Sequence, residues 1–444
     1  NLLRSILSPA IIGPDNFLYW VVSFSGSGVS SALASFSVFA VVVSAALSAF
    51  AGVTPTDLNN DLVIRGNTPM GMLWRMEGME IPNPNHFSDQ GASGGAISIL
   101  SSNMMTTSDF LTGAFPSEYG NATSGVFDIH LRKGNNRKRE YAFQVGVLGT
   151  DFAVEGPFKK GYEGSYLINY RYSTLDMINL IGIDVVGDAV PKFQDLSWNI
   201  DLPAGKMGNF NLFGFAGDSK IEEKWPVDSL YFEDIFASKR VVAGIGHSKL
   251  LGKKTLWKNT MGFTGSNSKY YSEQFDSNKV FMFTNDNEDF TNTTYRFTTN
   301  VTHKFNARHT LKVGAIGSLL GFDFINRYYD EELDSFVVEH SQSGETRSAQ
   351  AYAQWQFRLS KKLTFNSGFH INYFDLNQET SFEPRLGAIF KIDDIQSINA
   401  GLGVHSKSID LATYFAEAID ANGNIKIKIL YFNKKKLNLL KNNP

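Results

Sequence analysis

The sequence predicts a membrane all-β protein: an antiparallel outer-membrane β-barrel, preceded by a small α/β domain that sits inside it as a plug. Three observations carry that prediction. From Arg139 onward, apolar and polar residues alternate with a period of two, which puts one face of each strand in an apolar medium and the other in a polar one. The connections between the alternating stretches are sorted into short and long, as in a barrel with tight periplasmic turns and larger extracellular loops. Tyrosines gather where the stretches enter the long connections, at the level of an interfacial aromatic girdle.

Composition sets the outer bounds. The chain has 444 residues and a formal net charge of −3, so it carries no basic footprint for nucleic acid. It has no cysteine, which excludes disulfides and thiolate metal sites. Its 36 Phe, 17 Tyr and 39 Gly suit a β-rich, turn-rich protein.

Residues 1–50 form an N-terminal segment read as the start of the inner domain, and no signal-peptide pattern is visible in it. No charge occurs between Asp15 and Asp57, and Ser31–Phe50 is apolar enough to be a helix, buried in a globular piece or crossing a bilayer. Runs of Ser and Ala without a basic flank weigh against the crossing.

Residues 51–138 break the alternation. They are rich in Gly and Asn, with short apolar runs (LVI, AISIL, VFDIHL), as in a compact mixed α/β domain with many tight turns. Asp61–Phe87 packs two arginines, two glutamates, four methionines, three prolines and a histidine together. Charges enclosed by a polar barrel wall must be paired or wet. Arg65, Arg75, Glu77, Glu80 and Glu118 are therefore expected to make buried or semi-buried polar contacts within this domain or with the wall.

Residues 139–415 are read as a partial transmembrane barrel of about thirteen strands. In Ala351–Leu359 the odd positions are Ala351, Ala353, Trp355, Phe357 and Leu359, against Tyr352, Gln354, Gln356 and Arg358. The parity resumes after Ser360–Lys362, so Leu359, Phe365 and Phe369 are expected to face lipid, and Gln354, Gln356, Asn366 and His370 the lumen. Short polar turns fall at Pro157–Gly161, Pro203–Gly208, Leu251–Lys254, Asn306–His309, Ser360–Lys362 and Asp393–Gln396. Long connections fall at Leu175–Asp195, Asp218–Ser238, Phe275–Asp289 and Tyr329–Glu345. Residues 416–444 are an atypical tail whose consecutive Lys434, Lys435 and Lys436 would put charge on both faces of a strand. An odd strand count and that tail lead us to expect a curved, open sheet with Ser397–Ser408 along its edge.

The segments AGVTPTDLNNDLVIRGN and EYGNATSGVFDIHLRKG, with Trp74–Phe87 and Phe115–Asn121 between them, closely resemble the plug domain of TonB-dependent outer-membrane receptors. The likeness is to the Bacteroidetes-type receptors whose plug follows a carboxypeptidase-regulatory-like domain. Ser381–Arg385 resembles a barrel-strand motif of the same group. The resemblance implies a 22-stranded barrel and active, energy-coupled uptake of a scarce or large ligand such as a siderophore, oligosaccharide, vitamin or peptide. It implies TonB with its inner-membrane energising proteins, outer-membrane lipid and an extracellular small or oligomeric ligand as partners, with a surface lipoprotein as a further candidate. The rivals are a passive channel or adhesin, and a soluble β-rich carbohydrate-binding protein.

Catalytic chemistry finds little support, and the chain is read as a non-enzyme with no cofactor and no metal. His86 with Asp89, and His130 with Asp128, lack metal-site spacing. GSGVSS lacks the third glycine of a dinucleotide loop, GASGG lacks the Lys-Ser/Thr of a phosphate loop, and no GxSxG elbow occurs. The acidic stretches NDNED and EELD could hold calcium, though solvated loop carboxylates are the commoner case. No ligand-binding residue is readable from the sequence.

Overall fold

The computed structural model describes residues 61–415 apart from 90, 96, 147–148, 174–190, 228–229, 277, 279, 331–332 and 394–395. It also describes the short strands Val22–Gly26, Val29–Ala34, Val53–Pro55, Glu417–Ile419 and Ile425–Lys428.

Thirteen strands pair in sequence order into one antiparallel sheet. They are β1 (Glu140–Val145), β2 (Gly149–Pro157), β3 (Ser165–Ser173), β4 (Lys192–Pro203), β5 (Asn209–Val227), β6 (Leu230–Leu251) and β7 (Thr255–Phe275). The series continues with β8 (Phe281–Lys304), β9 (His309–Asp330), β10 (Ser335–Arg358), β11 (Leu363–Phe374), β12 (Glu379–Lys391) and β13 (Ser397–Gly403). The outer strands β1 and β13 do not pair with each other among the described residues.

The alternation read from the sequence is the alternation of the two faces. Phe365 and Phe369 are about two-fifths exposed (40% and 39%), whereas His370 is completely buried (0%). Leu359, Trp355, Phe382, Leu386 and Leu402 are likewise exposed on the outer face. The inner face carries Asp151, Arg171, Asp195, Arg240, Gln350, His370, Glu383 and Arg385, all buried. What buries them is the segment 61–135, which touches the wall from Asp151 in β2 to Arg385 in β12. With strands about 4.8 Å apart, a flat sheet would separate β2 and β12 by roughly 48 Å. One small body reaches both because the sheet curls round it.

Three expectations need correction. Asp218–Ser238, Phe275–Asp289 and Tyr329–Glu345 are mostly strand rather than loop: β5 runs on to pair Val227 with Leu230 of β6, and β9 pairs Asp330 with Ser335 of β10. Beyond the hydrocarbon both faces of a hairpin meet water, so the hydrophobic alternation fades while the hydrogen-bonded ladder continues. The other long connection, Leu175–Asp195, lies outside the described residues as far as 190, and β4 has begun by Lys192.

The second correction concerns the inner domain. Its described residues contain 3-10 turns at Pro69–Gly71 and Ser102–Met104 and no α-helix. Its main sheet runs Met79–Ile81, Leu73–Met76, Val126–Ile129, Asp109–Leu111, with the central pair parallel. Prolines at 69, 82, 84 and 116 and dense Gly and Ser keep any helix from extending. Met72, Trp74, Met76, Met79, Ile99, Met104 and Ile129 form its core, which is continuous with Leu167, Phe213, Phe215 and Val242 of the wall.

The third is the apolar helix expected at Ser31–Phe50. Val29–Ala34 is a strand paired with Val22–Gly26, and 35–50 lie outside the described residues, as does most of the 416–444 tail. No helix among the described residues is long and apolar enough to cross a membrane, which says nothing of a β-barrel.

Candidate functional site

The candidate site is the interface between the inner domain and the wall, together with a cavity above it. Tight turns build the domain's side. Glu77 and Gly78 both have positive φ (49° and 85°) between the paired residues Met76 and Met79. That is a two-residue hairpin turn of the kind needing a left-handed pair, and glycine adopts it at low cost. The turn swings the Glu77 carboxylate onto the Leu131 amide at 2.7 Å and presents the Glu77 carbonyl to Thr260 of β7 at 3.2 Å.

The run Ser117–Asn121 meets the wall residue by residue. The Ser117 amide donates to Gln354 of β10 at 2.8 Å, and the Ser117 carbonyl lies 2.9 Å from His370 Nδ1 of β11. Glu118 pairs with Arg75 at 3.3 Å and with Lys312 of β9. The Tyr119 hydroxyl donates to Asp128 at 2.9 Å, while its carbonyl accepts from Arg385 of β12 at 2.6 Å. Gly120 packs against the His370 ring so closely that a Cβ there would collide with it. Asn121 Oδ1 accepts from the Ser408 amide at 2.9 Å.

Glu80 is held from the wall: Arg296 of β8 lies at 3.4 Å, and Gln350 of β10 donates at 3.1 Å. Farther round, His86 meets Asp195 of β4 at 3.0 Å, Asp195 also pairs with Arg171 of β3 at 2.6 Å, and Arg240 of β6 donates to the Ser88 carbonyl at 2.6 Å.

Four of the five charged residues singled out in the sequence thus lie in polar contacts. Arg75 and Glu80 are buried, and Glu77 and Glu118 are partly so. Arg65 departs from expectation. It is exposed, at positive φ (52°) in the Arg65-Gly66 turn, with one long bond to Thr112 at 3.4 Å. Arg75, by contrast, pairs with Glu118 and Asp128 inside the domain.

The wall partners Asp195, Arg171, Arg240, Arg296, Lys312 and Arg385 were not read from the sequence. A usable signal was there: each is a charge at an inward-facing position of a strand, where a water-filled lumen would serve as well with neutral residues. His86 and Asp128 are committed to Asp195 and Tyr119 instead of the partners considered for metal binding. Among the described residues no group of three or more His, Asp or Glu converges on a point.

Electrostatics follows the burial. Burial alone would raise the Glu118 carboxyl, but Lys312 and Arg75 outweigh it and hold the group below its ordinary value. Burial pushes Glu77 up, and the Leu131 amide, His130 and Lys258 oppose it without outweighing it. Burial pulls the His86 imidazole down against the opposing pull of Asp195.

Above this interface lies a cavity of about 450 Å³. Thr264, Asn292, Thr294, Ser348, Gln350 and Asn372 line its wall side, and Met70, Trp74, Asn83 and Asn121 its inner-domain side. Thr264 and Ser348 lie nearer the long hairpins than the anchoring Thr260 and Gln354 on the same strands, so the cavity opens on the hairpin side of the domain. Residues after β13 fold back over it. Lys407 Nζ donates to the Met72 carbonyl at 2.5 Å, and Leu411 packs with Phe290, Phe322, Phe324 and Phe374.

The comparisons with known proteins agree with this architecture. The family model described as "TonB dependent receptor-like, beta-barrel" matches residues 188–428, more than half of the chain. The fold is similar to that of the siderophore receptor PirA from Acinetobacter baumannii, at 17% identity over 80% of this chain and 57% of that one, with TM-score 0.56. It is also similar to a mutant of the ferric enterobactin receptor PfeA from Pseudomonas aeruginosa, at 13% identity over 84% and 60%, with TM-score 0.58. A third similar structure is the outer membrane transporter YddB from Escherichia coli, at 12% identity over 79% and 55%, with TM-score 0.55. This chain therefore spans about three-fifths or less of the length of these structures. No curated protein matches it. With its outward apolar face, its sorted turns and that family match, the chain belongs to the TonB-dependent receptor β-barrel family and is an outer-membrane protein.

Proposed function

We propose that this protein is a receptor for active uptake, in which residues 51–138 are a plug, 139–415 part of the barrel around it and 416–444 a separate tail, with 1–50 leading into the plug. The observation that carries the reading is the nature of the interface. A domain inside the sheet is held on nearly every side by ion pairs and by charged side chains donating to its backbone carbonyls. Such contacts can be exchanged for water one at a time, so a pull on the domain can loosen it there before the apolar seam with Leu167, Phe213, Phe215 and Val242 has to part.

On this reading a scarce or large ligand enters between the long hairpins and settles on the plug's outer face. TonB, energised from the inner membrane, then draws on the plug from the periplasmic side. The ligand could be a siderophore, oligosaccharide, vitamin or peptide, and a surface lipoprotein could help deliver it. The motifs around Trp74–Phe87 and Ser381–Arg385 favour the Bacteroidetes-type receptors, with a regulatory-like domain ahead of the plug. The activity is transport rather than catalysis.

The test is accumulation of ferric enterobactin, cobalamin and a panel of neutral oligosaccharides by cells carrying the full receptor, before and after a proton uncoupler. Accumulation of one probe that stops on uncoupling is the expected result. Accumulation that survives uncoupling would make the protein a passive channel, and surface binding without accumulation would make it an adhesin.

A further inference from the structure

The charged groups lining the cavity balance and are already engaged. Glu80, Asp89 and Asp410 face Arg240, Arg296 and Lys407 across it, three of each sign. Arg296 donates to Ser318 at 3.0 Å, to the Glu80 carbonyl, and pairs with the Glu80 carboxylate. Arg240 gives its terminal nitrogens to the carbonyls of Ser88, Lys239 and Asn267. Lys407 donates to the Met72 carbonyl. These cations position the inner domain and the returning segment, so little positive charge is left to meet a ligand.

Three buried atoms of lining residues have no partner within the protein, Arg240 Nε, Trp74 Nε1 and Asn372 Oδ1, and two of the three belong to neutral side chains. Trp74 and Asn372 are each 93% buried, and both line the cavity. Trp74 Nε1, a donor, and Asn372 Oδ1, an acceptor, have no partner within the protein. Around them stand the hydroxyls of Thr264, Ser266, Thr294 and Ser348. A hydroxyl or amide both donates and accepts, which matches a ligand whose own groups do both. An acceptor-only anion leaves an acceptor such as Asn372 Oδ1 unmet, and in a cavity whose lining charges sum to zero its desolvation would go uncompensated. The volume of about 450 Å³ fits a small-molecule portion of such a ligand. Met70, Trp74 and Phe374 supply apolar surface for the less polar faces of a ring.

Building on the uptake reading above, we propose that this cavity recognises a neutral, hydroxyl-rich ligand of the oligosaccharide class rather than an anionic metal chelate. Asn372 Oδ1 discriminates, because it needs a donor that an acceptor-only ligand cannot supply, while Trp74 Nε1 and the Thr294 hydroxyl fix the ligand's acceptors.

The experiment is calorimetric titration of the full receptor in detergent with neutral oligosaccharides of differing linkage, and separately with ferric enterobactin, at two salt concentrations. At least one saccharide should bind saturably, with an affinity that stays within about twofold when salt is raised, since no net charge is neutralised. Asn372→Leu and Thr294→Val should each weaken it roughly three- to tenfold, the effect of one net hydrogen bond. Retained barrel mobility on unheated gels would show that both variants fold, and Thr294→Val serves if Asn372→Leu does not.

Salt-sensitive binding of ferric enterobactin, weakened by the same variants, would overturn the ligand class and leave the uptake reading standing. Saccharide binding unmoved by either folded variant would overturn the site. Failure of every saccharide to bind would overturn the proposal, whereas failure of energy-coupled accumulation would strike the uptake reading instead.

Discussion

The two faces of the wall obey different rules, although they share the same strands. Across β10–β11, Phe357 sits beside Phe365 on the outer face, while Gln356 sits beside Asn366 on the inner one. The outer face has one partner, lipid, which asks only for apolar area. The inner face has a specific partner at each level: Gln354 meets Ser117, His370 meets Gly120, and Arg385 meets three carbonyls of 115–119. Outer positions should therefore tolerate any apolar residue and reject charge, whereas inner positions should tolerate change only where no partner is lost.

The sharpest break of that comparison is at Arg385, whose guanidinium lies 2.5 Å from Glu383 with both side chains buried. Arg385→Ala would strand the Glu383 carboxylate and three inner-domain carbonyls, with an expected loss of about 3–5 kcal/mol from the inner domain's chemical unfolding. Glu383 keeps bonds to Ser381 and Ser406, which pulls the expectation toward the lower end. The double variant Arg385→Met with Glu383→Leu should recover much of the loss. A single variant as stable as the parent would mean that the pair is dispensable.

Next in size is the outer face. Phe365→Arg should cost about 2–4 kcal/mol of barrel stability, and its neighbour Asn366→Arg far less. Folding yields into detergent micelles compare the two directly. Equal losses would mean that the faces are not distinguished by lipid.

Legibility in the sequence divides along the same line. Alternation at Ala351–Tyr373 revealed strand, face and turn because lipid imposes one demand on every other residue. The polar extensions of β5 to β10 were misread as loops because water on both sides imposes none. The inner domain's charged residues could be singled out by type, but their partners could not. Glu80 and Arg296 are 216 positions apart, and nothing in their spacing ties them. Arg65 and Arg75 looked equivalent in the chain, and only the direction of a two-residue turn separates the exposed one from the buried one. The cavity could not be read at all, since its lining comes from inward residues of β6 to β11, the inner domain and the segment after β13.

The inner domain's two shifted glutamates should pull in opposite directions with pH. Glu118 is held below its ordinary value, so its stabilisation is present above the unfolded carboxyl range and is lost as pH falls through its folded value. Glu77 is raised, so its contribution is complete below the unfolded value and is lost as pH rises through the folded one. Glu118→Gln should flatten the acid limb of the inner domain's stability profile, and Glu77→Gln should remove the loss on the rising side. Parallel changes in the two variants would contradict the assignment.

The smallest effect belongs to the hairpins. Lys224 of β5 pairs with Glu233 of β6 at 3.2 Å, directly across the ladder, and its side chain is largely exposed. Geometrically the contact resembles that of Arg75 with Glu118 at 3.3 Å. The difference is the medium. Arg75 and Glu118 are shielded by the wall and share Lys312 and Asp128 as neighbours, so loss of either member leaves a charge without water. At Lys224 water replaces the lost partner at once, and ordering two long side chains offsets most of the attraction. Lys224→Ala should therefore change stability by less than about 1 kcal/mol, and that change should vanish in high salt as screening shortens its reach. Arg75→Ala, measured alongside, should remain several times costlier at either salt concentration. If the two variants responded alike, the medium would not be what separates the inner domain from the hairpins, and pair geometry alone would have to account for both.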